Sequence, residues 1–157
     1  MQSINKEQIS EQLLNDLITP LIACLKDSES KIRFAACESL YNVIKSLREV
    51  SLASFNEIFK SLVTASSDMD EEVKRAATSL DRILKDVVTE STPNCKYFNL
   101  KAFMPLFCDK LKAVHPGIRQ LLISWINILD SIPNINLIKY LPSFLEELFS
   151  MLGDNNK

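Results

Sequence analysis

The chain has 157 residues, 46% hydrophobic and 24% charged, with two glycines, one tryptophan and one histidine. Eighteen Lys and Arg stand against 20 Asp and Glu, a net charge of −2, so no overall field draws in DNA or RNA. Phosphate-cradling loops, dinucleotide turns and nucleophile elbows need glycine for positive φ or close backbone approach. Gly117 and Gly153 each stand alone, which excludes those sites and disfavours an all-β fold with its many tight turns.

Apolar residues recur at helical spacing along almost the whole chain. The first stripe is Ile9, Leu13, Leu17, Leu21 and Leu25, and the second is Ile32, Ala36, Leu40, Val43 and Leu47. Then come Leu52, Phe55, Ile58, Phe59 and Leu62, and next Val73, Ala77, Leu80, Leu84 and Val87. After a break the pattern resumes with Leu100, Phe103, Phe107, Leu111 and Val114, then Ile118, Leu122, Trp125, Leu129 and Ile132. Leu137, Leu141, Leu145, Leu148 and Leu152 form the last. Seven amphipathic helices are predicted, joined by DSES (27–30), SSDMDEE (66–72) and the turn HPG (115–117). The longest break is 90–99, where Pro93 and Asn94 stop a helix.

The helices repeat. Asp27 lies five residues ahead of the pair Ile32-Arg33, and Asp68 five ahead of Val73-Lys74. Ala113 takes the same slot ahead of Ile118-Arg119, and Asp154 occupies it a fourth time. The steps are 41, 45 and 41 residues, each covering two helices, which is the period of HEAT and armadillo-type repeats. An Asp beside a helix start can cap free N–H groups, and the basic residue can reach the Asp of an adjoining unit. Pro20, Pro105 and Pro142 are expected early in the first helices of their units. The expected architecture is all-α: a HEAT/armadillo-like α-solenoid of antiparallel helix pairs. Its single segment, 1–157, has units at about 8–49, 50–91 and 99–133, with a partial unit 137–157. Leu145, Leu148 and Leu152 are expected to be exposed at the C-terminal end.

Signals for chemistry are weak. No apolar run approaches the ~18 residues of a membrane span, and the opening MQSINKEQ does not read as a signal peptide. Cys24, Cys37, Cys95 and Cys108 are 13, 58 and 13 residues apart, neither a zinc-ligand nor a secreted-disulfide spacing. They read as reduced structural thiols of a cytoplasmic protein. His115 reads as a turn residue with no nucleophile or carboxylate nearby in sequence. Glu71-Glu72 and Glu146-Glu147 are adjacent and diverge on a helix, so they make no acid/base pair. No catalytic residue, cofactor or metal is expected.

A binding face is better supported. On the helix from Lys31, the side away from Ile32, Leu40 and Val43 carries Phe34, Glu38, Tyr41 and Lys45. The corresponding side of the helix from Glu71 carries Arg75, Ser79, Arg82 and Asp86. In a solenoid such faces line a groove for partners, with exposed aromatics as anchors. The alternative is that Phe34 and Tyr41 pack against neighbouring helices. Lys110, Lys112 and Arg119 could touch acidic lipid or phosphate, or form an ordinary solvated surface.

The strings RFAACESLYNVIK (33–45), SFNEIF (54–59), SLDRILKDVVTES (79–91), FMPLFCDKL (103–111) and RQLLISWINILDSIPNINLIKYLPSFLEELFSMLGD (119–154) together point to one family. From about Leu17 onward the chain resembles the vacuole-morphology scaffold family, in its N-terminal repeat region. Ala53 stands where similar proteins tend to have Pro. The resemblance implies a non-catalytic HEAT-repeat subunit bridging a PIKfyve-type phosphatidylinositol 3-phosphate 5-kinase and a Sac-domain phosphoinositide phosphatase. That would control phosphatidylinositol 3,5-bisphosphate on endosomal and vacuolar membranes. It implies peripheral membrane association through the complex, with the phosphatase held by regions outside this chain. A HEAT-repeat transport adaptor of the importin kind is the rival, and a single Trp argues against its Trp/Asn ladder.

Overall fold

A computed structural model of the chain describes residues 2–91, 95–133 and 135–153, with side chains from residue 12 onward. The expectations for Ile9, Pro93, Asn94 and Asp154 lie outside the described residues or side chains. Among the described residues there are seven α-helices, two short 3-10 helices and no strand, so the protein is all-α. The chain divides into two compact units, Met1–Phe98 and Asn99–Lys157.

The first unit contains α1 (Gln2–Cys24), α2 (Ser30–Leu47), α3 (Phe55–Ala65) and α4 (Glu71–Ser91), with a 3-10 segment Arg48–Ser54 leading into α3. Its most extensive packing is α2 along α4, the second helices of successive pairs, which is the stacking of a solenoid. Ala36, Cys37, Leu40 and Ile44 of α2 are buried, as are Val73, Ala76, Ala77, Leu80 and Leu84 of α4. The small side chains let the two helices approach closely. From α3, Phe55 and Phe59 stack with centroids 5.9 Å apart, and Phe98 sets its ring edge-on to Phe55 at 4.9 Å. The buried Ser54 donates from Oγ to Asn15 Oδ1 at 3.2 Å and so ties the 3-10 segment to α1. Burial pushes the Cys37 thiol up to about 11, which leaves it protonated and unreactive at neutral pH.

The second unit contains α5 (Leu100–Leu111), α6 (Pro116–Ser131), a 3-10 turn Leu137–Lys139 and α7 (Leu141–Gly153), with α5 packed against both α6 and α7. Asn99 caps α5 by accepting from the Ala102 amide at 3.0 Å, and Pro116 occupies the first turn of α6. Phe103, Phe107, Leu122, Trp125 and Phe144 form its core. On α7, Leu145 and Leu152 are exposed as expected and Leu148 is half-buried, while Phe149, not anticipated, is exposed beside them.

Several expectations require correction. On α1 the buried row is Leu14 and Ile18, whereas Leu13 and Leu17 are 57% and 45% exposed. The segment carries apolar pairs at 13–14, 17–18 and 21–22, so two adjacent rows are equally apolar and periodicity cannot choose the rotation. Tertiary packing chooses it. Ile32 is likewise 41% exposed, although its repeat equivalent Val73 is fully buried. Val114, assigned to the α5 stripe, lies beyond the helix and is exposed. Pro20 sits near the C-terminal end of α1 and Pro105 in the middle of α5, not early in either helix, while Pro142 is second in α7. Gly117 lies within the first turn of α6.

Among the described residues, neither glycine takes a positive φ, and one non-glycine residue does: Arg48, at φ 46° and ψ −123°, where α2 ends. Its carbonyl accepts from Ser51 Oγ at 2.6 Å, and its side chain makes an exposed ion pair with Glu90. A Cβ is strained in that backbone region, and an exposed ion pair offsets little of the strain.

Two predictions follow from this packing. Leu14→Ala should destabilise by about 3 kcal/mol and Leu17→Ala by under about 1 kcal/mol in urea unfolding. Equal losses would restore the other row of α1 as the core. Arg48→Gly should raise stability by about 1 kcal/mol despite loss of the Glu90 pair, measured by thermal melting.

Candidate functional site

The site is built on a polar frame between the two helix pairs of the first unit. Arg33, in the first turn of α2, points its guanidinium at the turn before α4. Its Nε donates to Asp68 Oδ2 at 2.7 Å and Nη2 to Asp68 Oδ1 at 2.8 Å. Its Nη1 donates to the carbonyls of Asp27 and Ser28, both at 2.9 Å. The expected reach of a basic residue to the Asp of an adjoining unit is therefore present, as a bidentate pair with side chains 16% and 11% exposed. The hydrogen bond from Arg33 holds the Asp68 carboxyl below the usual carboxylate range, helped by the Asp70 and Met69 amides and opposed by burial.

Asp27 and Asp68 act alike but do not cap helices. Each closes a turn by accepting, from two residues on, the amide of Glu29 or Asp70 at 2.9 Å. Capping of α4 falls to Asp70, whose Oδ1 accepts from Glu72 at 2.8 Å and Val73 at 3.4 Å. The Ser30 hydroxyl also bonds Asp70 and, with the Glu72 amide, holds its carboxyl low. Glu29, one repeat earlier, makes no side-chain cap. In the second unit Arg119 Nε donates to the Ala113 carbonyl at 2.9 Å, the counterpart of Arg33 to Asp27.

This frame sets α2 beside α4 in a 41-residue register, and an open groove of about 430 Å³ runs between them. Its walls are Phe34, Glu38, Tyr41 and Asn42 from α2, and Arg75, Ala76, Ser79 and Arg82 from α4. Six of the eight residues picked from the sequence, Phe34, Glu38, Tyr41, Arg75, Ser79 and Arg82, thus meet in one groove. Asp86 is not among the lining residues, and Lys45 lies one turn beyond, with its ammonium over the Tyr41 ring, 5.8 Å from the centroid. Phe34 and Tyr41 are half-buried, so each ring is both packed and open to the groove. Phe34 also borders a second cleft with Ser30, Lys31, Asp70 and Glu72. Sequence reasoning missed Asn42 and Ala76, which the 41-residue step does not reach: it pairs Phe34 with Arg75, Glu38 with Ser79 and Tyr41 with Arg82, but Asn42 with Ile83 and Ala35 with Ala76.

The other candidates come apart. Arg119 is half-buried with its Nε on the Ala113 carbonyl, Lys110 lies 3.9 Å from Asp109, and Lys112 is exposed. His115 is exposed at the N-cap of α6, where its carbonyl accepts from Arg119 N. Among the described residues no three His, Cys, Asp or Glu side chains converge as a metal site would require.

Residues 1–86 match the family described as the vacuolar 14 Fab1-binding region. The chain is similar to the protein VAC14 homolog of Arabidopsis thaliana, with 41% identity over 145 residues covering 92% of this chain and 19% of that protein. It is similar to the vacuole morphology and inheritance protein 14 of Saccharomyces cerevisiae, at 35% over 178 residues, covering 92% and 20%. The protein VAC14 homolog of Schizosaccharomyces pombe is 31% identical over 179 residues, covering 94% and 22%. The chain therefore spans about a fifth of the length of these curated relatives. The family match begins at residue 1, well before Leu17. No solved structure matches the chain.

The Asp68 carboxyl is depressed in the folded state, so its stabilising effect is complete above the unfolded Asp value of about 3.9 and is lost as pH falls through the lower folded value. Asp68→Asn should lower the melting temperature at pH 7, and the gap from the parent should narrow as pH drops below about 4. A gap constant with pH would remove the charged pair from the account. Arg33→Lys should resemble the loss of the pair, since one ammonium cannot replace four directed bonds.

Proposed function

The chain belongs to the vacuolar 14 Fab1-binding region family, and from that membership we propose that it is a non-catalytic scaffold segment holding a Fab1-type phosphatidylinositol 3-phosphate 5-kinase. The observation that carries this reading is one of position: both walls of the groove, from Phe34 to Arg82, fall inside the matched residues 1–86. Its units are HEAT-type pairs whose second helices line the contact face, and the whole chain is one repeat segment. Through the kinase the segment serves the control of phosphatidylinositol 3,5-bisphosphate on endosomal and vacuolar membranes. A Sac-domain phosphatase joins through regions outside this chain.

Membrane association is peripheral in this reading. No helix among the described residues is long and apolar enough to cross a membrane. The importin-like rival has little support, because Trp125, the one tryptophan, is buried in the second unit and offers no ladder on a groove.

Purified chain should co-purify with a co-expressed Fab1-type kinase. Combined Phe34→Ala, Tyr41→Ala and Arg82→Glu should cut that retention by about tenfold or more, with helicity and melting temperature kept. Lys60→Glu, away from the groove, should leave it unchanged. Undiminished retention by the triple variant would move the contact elsewhere.

A further inference from the structure

The groove has a charge pattern that identifies a class of partner, an inference that rests on its reading as a docking face. Arg75 and Arg82 stand seven residues apart on α4, about 10.5 Å along the axis. Arg82 has no hydrogen-bond or ion-pair partner among the described residues. Arg75 pairs only with Glu72 of its own helix, where the side chains are 73% and 63% exposed, a weak contact that a better acid can displace. On the other wall, α2 repeats the interval, and the 41-residue register matches Phe34 with Arg75 and Tyr41 with Arg82. Between these two aromatic–arginine rungs lie Glu38 and Ser79, and Glu38 is likewise without a partner among the described residues.

We infer that this groove takes an amphipathic α-helix of a partner protein. That helix carries two acidic side chains seven residues apart against Arg75 and Arg82, a basic one midway against Glu38, and apolar ones on Phe34 and Tyr41. The interval selects a helix over an extended strand. Seven residues of helix span the same ~10.5 Å on nearly one face. An extended chain covers ~10 Å in three residues, which puts the two side chains on opposite faces. The midway Glu38, with Asp70 and Glu72 at the adjoining cleft, repels a uniformly anionic surface such as a bilayer or nucleic acid. At about 430 Å³ the open groove admits side chains while the partner backbone lies above it.

The test uses the 157-residue chain and fluorescently labelled synthetic peptides, read by anisotropy. One is a stapled helix with Glu seven residues apart, Lys midway and Leu on the same face. The second is its charge-inverted twin, and the third an acidic peptide held extended by prolines. The acidic helix should bind about tenfold more tightly than its twin, and Arg82→Glu should abolish or reverse that preference without changing the melting temperature. Equal binding of the twins, equal or tighter binding of the extended peptide, or no binding of either helix overturns the inference. Displacement of the acidic helix by phosphatidylserine vesicles would overturn it too. Helix discrimination with kinase retention untouched by groove variants would sink the kinase reading and leave this one standing. The converse pattern would sink this one alone.

Discussion

The Arg33 fork is the constraint on which the rest of the first unit depends. Apolar packing between α2 and α4 is extensive but non-directional, and the small side chains at the contact, Ala36, Ala76 and Ala77, resist sliding poorly. Direction comes from hydrogen bonds. One guanidinium binds the turn before its own helix through two carbonyls and the turn before α4 through both oxygens of Asp68. Asp68 in turn holds the amide of Asp70, and Asp70 starts α4. The path from Arg33 to the first turn of α4 is therefore a continuous run of directed bonds. It aligns positions 41 residues apart, and the groove walls follow from that alignment.

A partly buried charged pair costs free energy to desolvate, and many such pairs contribute little net stability. Its value here is register. A one-residue slip of α4 would turn Arg75 and Arg82 about 100° away from Phe34 and Tyr41. Such a slip would also break all the bonds to Asp68 at once, whereas an apolar interface would lose contacts gradually. The second unit keeps half of this device. Arg119 still binds the carbonyl of Ala113, but position 113 has no carboxylate to receive a reach from elsewhere. The backbone half of the motif, which shapes the inter-helix turn, works without the acidic half.

Features set by local spacing were legible in the sequence, and features set by competition between neighbours were not. The all-α class, the Arg-to-Asp reach and the face shared by Phe34, Glu38 and Tyr41 follow from intervals of three, four and 41 residues. The rotation of α1 did not, because Leu13 and Leu14, or Leu17 and Ile18, are equivalent until α2 and α3 choose between them. Ile32 fails in the same way, since the repeat frame predicts its equivalence to Val73 but not the different neighbours of the two helices. Arg48 was invisible for another reason. Positive φ is usually announced by glycine, and here a helix end imposes it on an arginine. The extra groove residues Asn42 and Ala76 were not legible, because their repeat equivalents Ile83 and Ala35 do not line the groove.

In the proposed docking reading, the groove's aromatics are surface anchors rather than core residues. The inward side of α2 is already occupied by Ala36, Cys37, Leu40 and Ile44, each 3% exposed or less. Phe34 and Tyr41 lie on another side of the helix, half-buried among polar and charged side chains, where they fill no gap in that core. A solvated face made only for solubility would spend these positions on Lys, Glu or Gln, which are also better helix formers than Phe or Tyr. Large rings next to an arginine with no partner among the described residues give a partner both apolar area and charge to bind, the combination typical of interface anchors. The same reasoning sets Phe34 and Tyr41 apart from Phe55 and Phe59, which are as aromatic but are buried in the core of the unit.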